Sequence, residues 1–195
     1  MTATLRSAAN ISWNGPLAEL YVPLRAGDLS LIPLTEEHRK PLRAACDQDA
    51  GIWEIYPVSY EGKHFDSNFG LMLHGVGQRQ PYAIFHGDEL VGMTAWIAHG
   101  MPGHSIEIGN SYIVPRLRGS GFNDRLKKLM LDHAFGCGLA RVAFKVDAIN
   151  DRSRAALLKL GCTQEGIMRA ERITWTGRVR DTVVFSILAD EWKSE

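Results

Sequence analysis

A chain of 195 residues can bury one sizeable core, and 45% hydrophobic with 23% charged residues is the balance of an ordinary soluble globular domain, neither disordered nor fibrous. Lysine plus arginine (22) cancels aspartate plus glutamate (22), so the strong basic field of a dedicated nucleic-acid binder is missing and nucleic acid is not expected as a partner. Cys46, Cys137 and Cys162 give neither a disulfide framework nor paired zinc spacing, which fits a reducing, cytoplasmic setting without a metal.

Residues 1–27 read as an N-terminal arm. Its first 14 residues carry one arginine and no long apolar run, which argues against a leader or membrane anchor, and Asn14-Gly15-Pro16 and Pro23 punctuate against regular structure. Asp28 to Leu34 alternates as a half-buried strand does. Thr35, followed by Glu36 and Glu37, starts a helix reaching about Cys46. Phe65, Phe69, Met72 and Leu73 recur at helical spacing between Lys63 and His74, with Gly75 and Gly77 as the stop. Pro81 to His86 and Glu89 to Ile97 form a hairpin about Gly87-Asp88. Ser105 to Val114 is a further strand whose alternation slips at Gly109-Asn110, as at a bulge or a splayed strand end.

Beyond it the pattern becomes helix, strand, helix, strand, strand. Phe122, Leu126, Leu129, Met130 and His133 mark one face of a helix that Gly136 and Gly138 terminate. Arg141 to Ala148 alternates as a strand, Asn150 or Asp151 caps a short helix through Leu160, and Glu165 to Ile173 and Val179 to Leu188 are strands around Thr176-Gly177. The order predicts one mixed α/β (α+β) domain over residues 28–192, leaving 193–195 as a tail. No apolar stretch is long enough to cross a bilayer, so no membrane partner is expected.

Chemistry concentrates at Arg116-Leu117-Arg118-Gly119-Ser120-Gly121, between a strand and an amphipathic helix. Two glycines let backbone approach a ligand, and the helix start leaves its first amides pointing outward, a cradle suited to a pyrophosphate. A dinucleotide loop would need a glycine at Asp124, and a nucleotide-triphosphate loop would need a following Gly-Lys-Ser/Thr; both are absent. A tight surface turn is the plain alternative.

The sequence resembles the GNAT acetyltransferases, whose R/Q-x-x-G-x-G/A motif occupies such a junction and is matched by Arg116, Gly119 and Gly121. The likeness continues through Arg141 to Asp147, Asn150-x-x-Ser153, Leu160-Gly161 and Glu165-Gly166, and with Arg180-Asp181-Thr182, Phe185-Ser186 and Glu191-Trp192 it is similar to the RimJ/RimL branch that acetylates ribosomal-protein amino termini. It covers about Asp28 to Trp192. The resemblance implies a mixed, mostly antiparallel sheet splayed at its centre with helices on both faces, acetyl-CoA as cosubstrate and a primary amine, a protein N-terminus or a small-molecule amine, as acceptor. Backbone amides from Arg116 to Phe122 (Arg116, Leu117, Arg118, Gly119, Ser120, Gly121, Phe122) would hold the pyrophosphate, and pantetheine would lie between Ser105–Val114 and Arg141–Ala148.

Strand amides near Ile113 and Val114 would polarise the acetyl carbonyl. Asn150 and Ser153 would lie at the sulfur, with the Ser153 hydroxyl donating to the departing thiolate; capping alone is their simpler role. For the base, the family's splayed-strand carboxylate maps to Glu107, whose alternative is a solvated strand carboxylate, and Glu171 is a rival, although a one-residue shift there exchanges Glu171 and Arg172 between faces. Tyr112 is a candidate acid or a core aromatic. Trp53, Tyr56, Tyr60 and Trp96 either line the acceptor pocket or pack the core, and His133 is packed or solvated. The family also implies a homodimer as an option, for which the sequence shows no interface signal. An acyl-CoA-binding sensor without catalysis and an enzyme using a longer acyl-CoA donor are the alternative functions.

Overall fold

The computed structural model describes residues 17–76, 78–98 and 100–192. Most of the expected arm (1–16), Gly77 of the expected helix stop and the tail 193–195 lie outside the described residues.

Among the described residues eight strands build one sheet: β1 (Leu24–Ala26), β2 (Leu29–Pro33), β3 (Arg79–His86), β4 (Glu89–Ile97), β5 (Ser105–Ile113), β6 (Arg141–Asp147), β7 (Thr163–Ile173) and β8 (Val179–Leu188). Their order is β1-β2-β3-β4-β5-β6-β8-β7, and among the described residues only the β5–β6 pair is parallel. The helices are α1 (Leu17–Leu20), α2 (Arg39–Cys46), α3 (Phe65–Leu73), α4 (Phe122–Gly136) and α5 (Asp151–Lys159).

Successive strand residues face opposite sides of a sheet, and Met93 and Thr94 of β4 use both. Thr94 Oγ1 meets Met130 Sδ of α4 at 3.8 Å, whereas Tyr112, paired across from Met93, donates its hydroxyl to the Ala45 carbonyl of α2 at 2.7 Å. Helices therefore cover both faces, as expected. α5 joins the α4 side, where Lys159 Nζ lies 3.0 Å from Asp124 Oδ2.

The slip in alternation at Gly109-Asn110 is a β-bulge. Met93 pairs with Tyr112 but Ala95 with Gly109, so two residues of β5, Asn110 and Ser111, oppose the single Thr94 of β4, and Asn110 takes φ 51. The parallel pairing of β5 with β6 covers only Ser105–Glu107 against Arg141–Ala143. Beyond it β5 stays with β4 and β6 stays with β8, so the two central strands part. A gap opens in the middle of the sheet.

Two expectations need correction. Residues 19–27 are part of the domain rather than an irregular arm: β1 pairs with β2, Leu20 is 1% exposed, and Tyr82 donates to the Leu20 and Val22 carbonyls at 3.1 and 2.9 Å. Pro23 ends the preceding turn instead of excluding a strand, and burial of Leu20 and Leu24 holds the segment down. On α4 the buried stripe is Phe122, Leu126, Lys127, Met130, Leu131 and Ala134, while Leu129 and His133 are only partly covered. His133 Nε2 instead lies 3.1 Å from the Leu20 carbonyl, because the N-terminal segment packs over that edge of the helix.

Candidate active site

The gap between β5 and β6 continues into a cleft of about 440 Å³. Its floor is β5 and β6; α4 and α5 flank one mouth, and the 3-10 turn Ala50–Ile55 with Tyr56 and Pro57 flanks the other.

At the α4 mouth, Gly119 and Gly121 adopt φ 77 and 85, a region that costs other residues about 1–2 kcal/mol. No atom lies within 4 Å of where a Cβ would stand on either. The loop is braced from within. Leu117 and Arg118 donate their N–H groups to Val114 and Pro115 carbonyls (3.2 and 3.1 Å), and Ser120 Oγ donates to the Leu117 carbonyl (2.8 Å) while accepting from the Phe122 N–H (3.3 Å). Arg118 Nε donates to the Ile113 carbonyl at 2.8 Å, and its guanidinium pairs with Asp49. What this bracing leaves over are the N–H groups of Gly119, Ser120, Gly121, Asn123 and Asp124, which no other described residue takes up. Amides grouped this way at a helix start form an anion site.

The motif residues thus divide. Arg118, Gly119 and Gly121 line the cleft, together with Asn123, Asp124 and Lys127. Arg116 turns outward to pair with Glu89, Leu117 and Phe122 are buried, and Ser120 serves the loop itself. Three of the seven amides expected to meet a pyrophosphate, those of Leu117, Arg118 and Phe122, are occupied internally, because a turn this tight must satisfy its own backbone first.

Along β5 the Val114 N–H donates to the Val91 carbonyl at 2.9 Å, so Val114 cannot polarise a substrate carbonyl. That bond frames Gly92 and Ile113 as a non-hydrogen-bonded pair, which turns the Ile113 N–H away from β4 and toward the gap. Ile113 lines the cleft. On α5, Asn150 Oδ1 accepts the Ser153 N–H at 3.1 Å, a helix cap, and both residues also line the cleft.

Glu107 stands where the parallel pairing ends. It is 8% exposed, lines the cleft, and its Oε2 is 3.0 Å from Lys145 Nζ of β6. It shares a face with Ile97 and Tyr112, opposite to the α4 side, so it approaches the gap from the far side of the loop amides. Gly109 keeps that approach open: a Cβ there would lie 2.6 Å from Ile97 Cδ1 and 3.2 Å from Glu107 Oε1. Glu171 is placed differently. Its carboxylate takes both Nε and Nη2 of Arg172 (2.5 and 2.6 Å) and the Thr182 hydroxyl (3.1 Å), and it is not among the residues lining the cleft. Arg172 beside it holds the Glu171 carboxyl at about 2. The register shift between Met168 and Arg172, with Ala170 at φ 50, puts Arg172 on the cleft wall.

The aromatic candidates also separate. Tyr56 lines the cleft and donates to the Ser111 carbonyl at 2.6 Å. Trp53, Tyr60, Trp96 and Tyr112 are core, and burial pushes the Tyr112 hydroxyl well above its usual range. Burial likewise raises all three thiols, Cys162 to about 12. Among the described residues, no group of three or more His, Cys, Asp or Glu side chains is placed to hold a metal ion, and no helix is long and apolar enough to cross a membrane.

Two cleft residues escape a sequence pattern. Lys127 sits on the buried stripe of α4, donates to Ser111 Oγ at 2.7 Å, and is pulled down by burial to about 7. The signal available was a lysine three residues before Met130 and four before Leu131, on an apolar stripe. Arg180 of β8, matched in sequence only as part of Arg180-Asp181-Thr182 and given no role there, is the other, and the strand register puts it on the face of Glu107.

The comparisons with known proteins agree with this geometry. The model of the acetyltransferase (GNAT) domain family matches residues 28–163. Mycothiol acetyltransferase from Corynebacterium efficiens is 40% identical over 83 residues, 41% of this chain, and the match spans only 26% of that protein. The uncharacterized N-acetyltransferase YoaA from Bacillus subtilis is 25% identical over 175 residues, 81% of this chain and 98% of its own. A GNAT-family protein from Chromobacterium violaceum superposes with a TM-score of 0.86 at 26% identity, covering 100% of this chain and 98% of that one. RimJ from Mycobacterium smegmatis, in complex with CoA-disulfide, shares the fold with a TM-score of 0.73 at 22% identity, covering 89% and 88%. A family match over most of the chain, on a splayed sheet with a glycine-loop cradle at its gap, makes this protein an acyltransferase of the GNAT family.

Proposed function

We propose that the protein transfers an acetyl group from acetyl-CoA to a primary amine by direct attack within a ternary complex, in the cytoplasm, and that it stands near the RimJ/RimL branch. The observation that carries this is the cleft itself: unoccupied amides at Gly119 to Gly121 on one side of the sheet, and Glu107 on the other, meet at the gap where β5 leaves β6.

The residues present fit the cosubstrate. Loop amides of Gly119, Ser120 and Gly121 suit the diphosphate, and the parted edges of β5 and β6 suit the amide-bearing pantetheine arm, which can pair as an added strand. Acetyl-CoA supplies the acyl group already activated as a thioester. Glu107 takes the proton of the acceptor ammonium, directly or through one water, because only the neutral amine can attack. The Ile113 N–H is aimed to polarise the acetyl carbonyl as the new C–N bond forms. Ser153 Oγ–H donates to the sulfur as the C–S bond breaks, and the start of α5 favours the negative charge gathering there. With its thiols raised by burial, no cysteine serves as a nucleophile at neutral pH.

Glu107 is the better base than Glu171, because Glu107 lines the cleft whereas Glu171 is held by Arg172 and Thr182. A sensor without catalysis would be favoured by carboxylates and Ser153 all turned away from the cleft, and Glu107 and Ser153 face it. The test is thiol release from acetyl-CoA, and from longer acyl-CoA donors, with a panel of amines. Amine-dependent release supports the transferase; tight CoA binding without release on any acceptor would replace it with the sensor.

A further inference from the structure

On the Glu107 side, the part of the cleft wall formed by β6, β7 and β8 is built from paired charges with one cation in excess. Lys145 lies against Glu107, Arg172 against Glu171, and Arg178 against Asp147. Arg180 is the fourth cation of the cluster, and the two carboxylates that favour its charge, Asp147 and Glu171, are already engaged. It is 5% exposed, lines the cleft, and its side chain makes no hydrogen bond with any described residue. Its ion-pair contact, Nε to Asp147 Oδ2, is 3.7 Å long. Asp147 is already satisfied by Arg178 Nη2 at 2.5 Å and by the Ile149 N–H at 3.2 Å.

The sheet register sharpens the anomaly. Arg172 of β7 and Arg180 of β8 are direct cross-strand partners, and both line the cleft. Like charges placed opposite one another on neighbouring strands destabilise a sheet. Burial and the neighbouring Arg172 and Arg178 all weigh against the charged form of Arg180. Yet a guanidinium does not give up its proton at physiological pH, so its five donors stay charged and must find acceptors. The free side of this guanidinium is the cleft, on the same face as Glu107.

Resting on the acetyl-transfer reading, we propose that the acceptor carries an oxyanion near its amine, a carboxylate or a phosphate, and that Arg180, with Arg172 beside it, binds that group while Glu107 addresses the nitrogen. A planar guanidinium is matched to either oxyanion, and a site built around a buried donor discriminates strongly against an analogue lacking the acceptor group. A polyamine would bring a second cation to this wall and is disfavoured.

The experiment uses matched acceptors: an amino acid and its carboxamide, phosphoethanolamine and ethanolamine, and spermidine. The anionic member of one pair is expected to exceed its neutral partner in kcat/KM by about tenfold or more, and which pair responds identifies carboxylate or phosphate. In Arg180→Gln that ratio falls toward one, and Arg180→Lys restores part of it. Arg172→Gln, at a half-buried position, lowers the ratio too and covers the case in which the Arg180 variants do not fold. Preference for the neutral members or for spermidine, or an unchanged ratio in a folded Arg180→Gln protein, overturns the proposal. If no acceptor turns over, calorimetry of the CoA-loaded protein with N-acetylglycine and N-acetylglycinamide, and with phosphoethanolamine and ethanolamine, separates the two ideas. Tighter binding of an anionic ligand that is lost in Arg180→Gln keeps the anion site while acetyl transfer fails, and equal binding within both pairs sinks the anion site itself.

Discussion

Glu107, Ser153 and Lys127 each combine burial or capping with a place on the cleft wall, and each can be tested alone. Glu107→Gln removes the proposed proton acceptor and keeps the shape, so kcat is expected to fall about 10²–10⁴-fold with CoA affinity held. A kcat within a few-fold of the parent would return the base to another group. Ser153→Ala leaves the cap at Asn150 intact, since the bond uses the Ser153 backbone. It should lower kcat more than CoA affinity, and equal rates would reduce Ser153 to a structural residue. Lys127 gives a stability prediction. Its folded value near 7 lies below the ordinary lysine value, so between about pH 7 and the unfolded value near 10.5 the unfolded chain binds the extra proton, and stability rises with pH across that window. Lys127→Met removes that slope and raises the melting temperature below pH 7, read by thermal melts across pH.

At the scale of elements, the predictions concern how backbone is held. Asn150→Ala loses the α5 cap and costs about 1 kcal/mol, roughly 2–4 °C in melting temperature for a chain of this size. Gly119→Trp adds a large side chain at a position with no neighbour within 4 Å. The fold should survive with a penalty of about 1–2 kcal/mol from the left-handed backbone, whereas CoA binding is abolished; unchanged affinity would remove the cradle. The elements also show where sequence pattern succeeded. Strand alternation and glycine stops located every main strand and helix from Leu29 onward, and the break at Gly109-Asn110 corresponds to a real bulge. Period fails where tertiary packing chooses the face, as on α4, where Lys127 is buried and His133 is not. It failed also for Leu24–Ala26, because three residues are too few to show alternation and their pairing with β2 is what defines them.

At the scale of the molecule, the site exists only because β5 leaves β6. The cradle comes from the β5–α4 junction, Glu107 from the parting strand, Ser153 from α5 and Arg180 from β8. CoA bound at that gap, as proposed, would stabilise the native state by mass action. At 100 times the dissociation constant the gain is about 2.7 kcal/mol, or roughly 5–11 °C in melting temperature at about 2–4 °C per kcal/mol. Gly119→Trp should erase the shift, and a parent protein whose melt is insensitive to CoA would contradict the cleft assignment.

Local chemistry alone determined much of this protein: the glycine positions that permit a tight turn at the start of α4, the alternation that makes strands, and the Asn150 cap, each a property of a few adjacent residues. Which amides of the loop remain open, which of Glu107 and Glu171 reaches the gap, and where the Arg180 guanidinium is stranded without a hydrogen bond were decided only by the tertiary structure. Those outcomes depend on register and on competition for partners among residues far apart in the chain, and a one-residue shift in pairing reverses them.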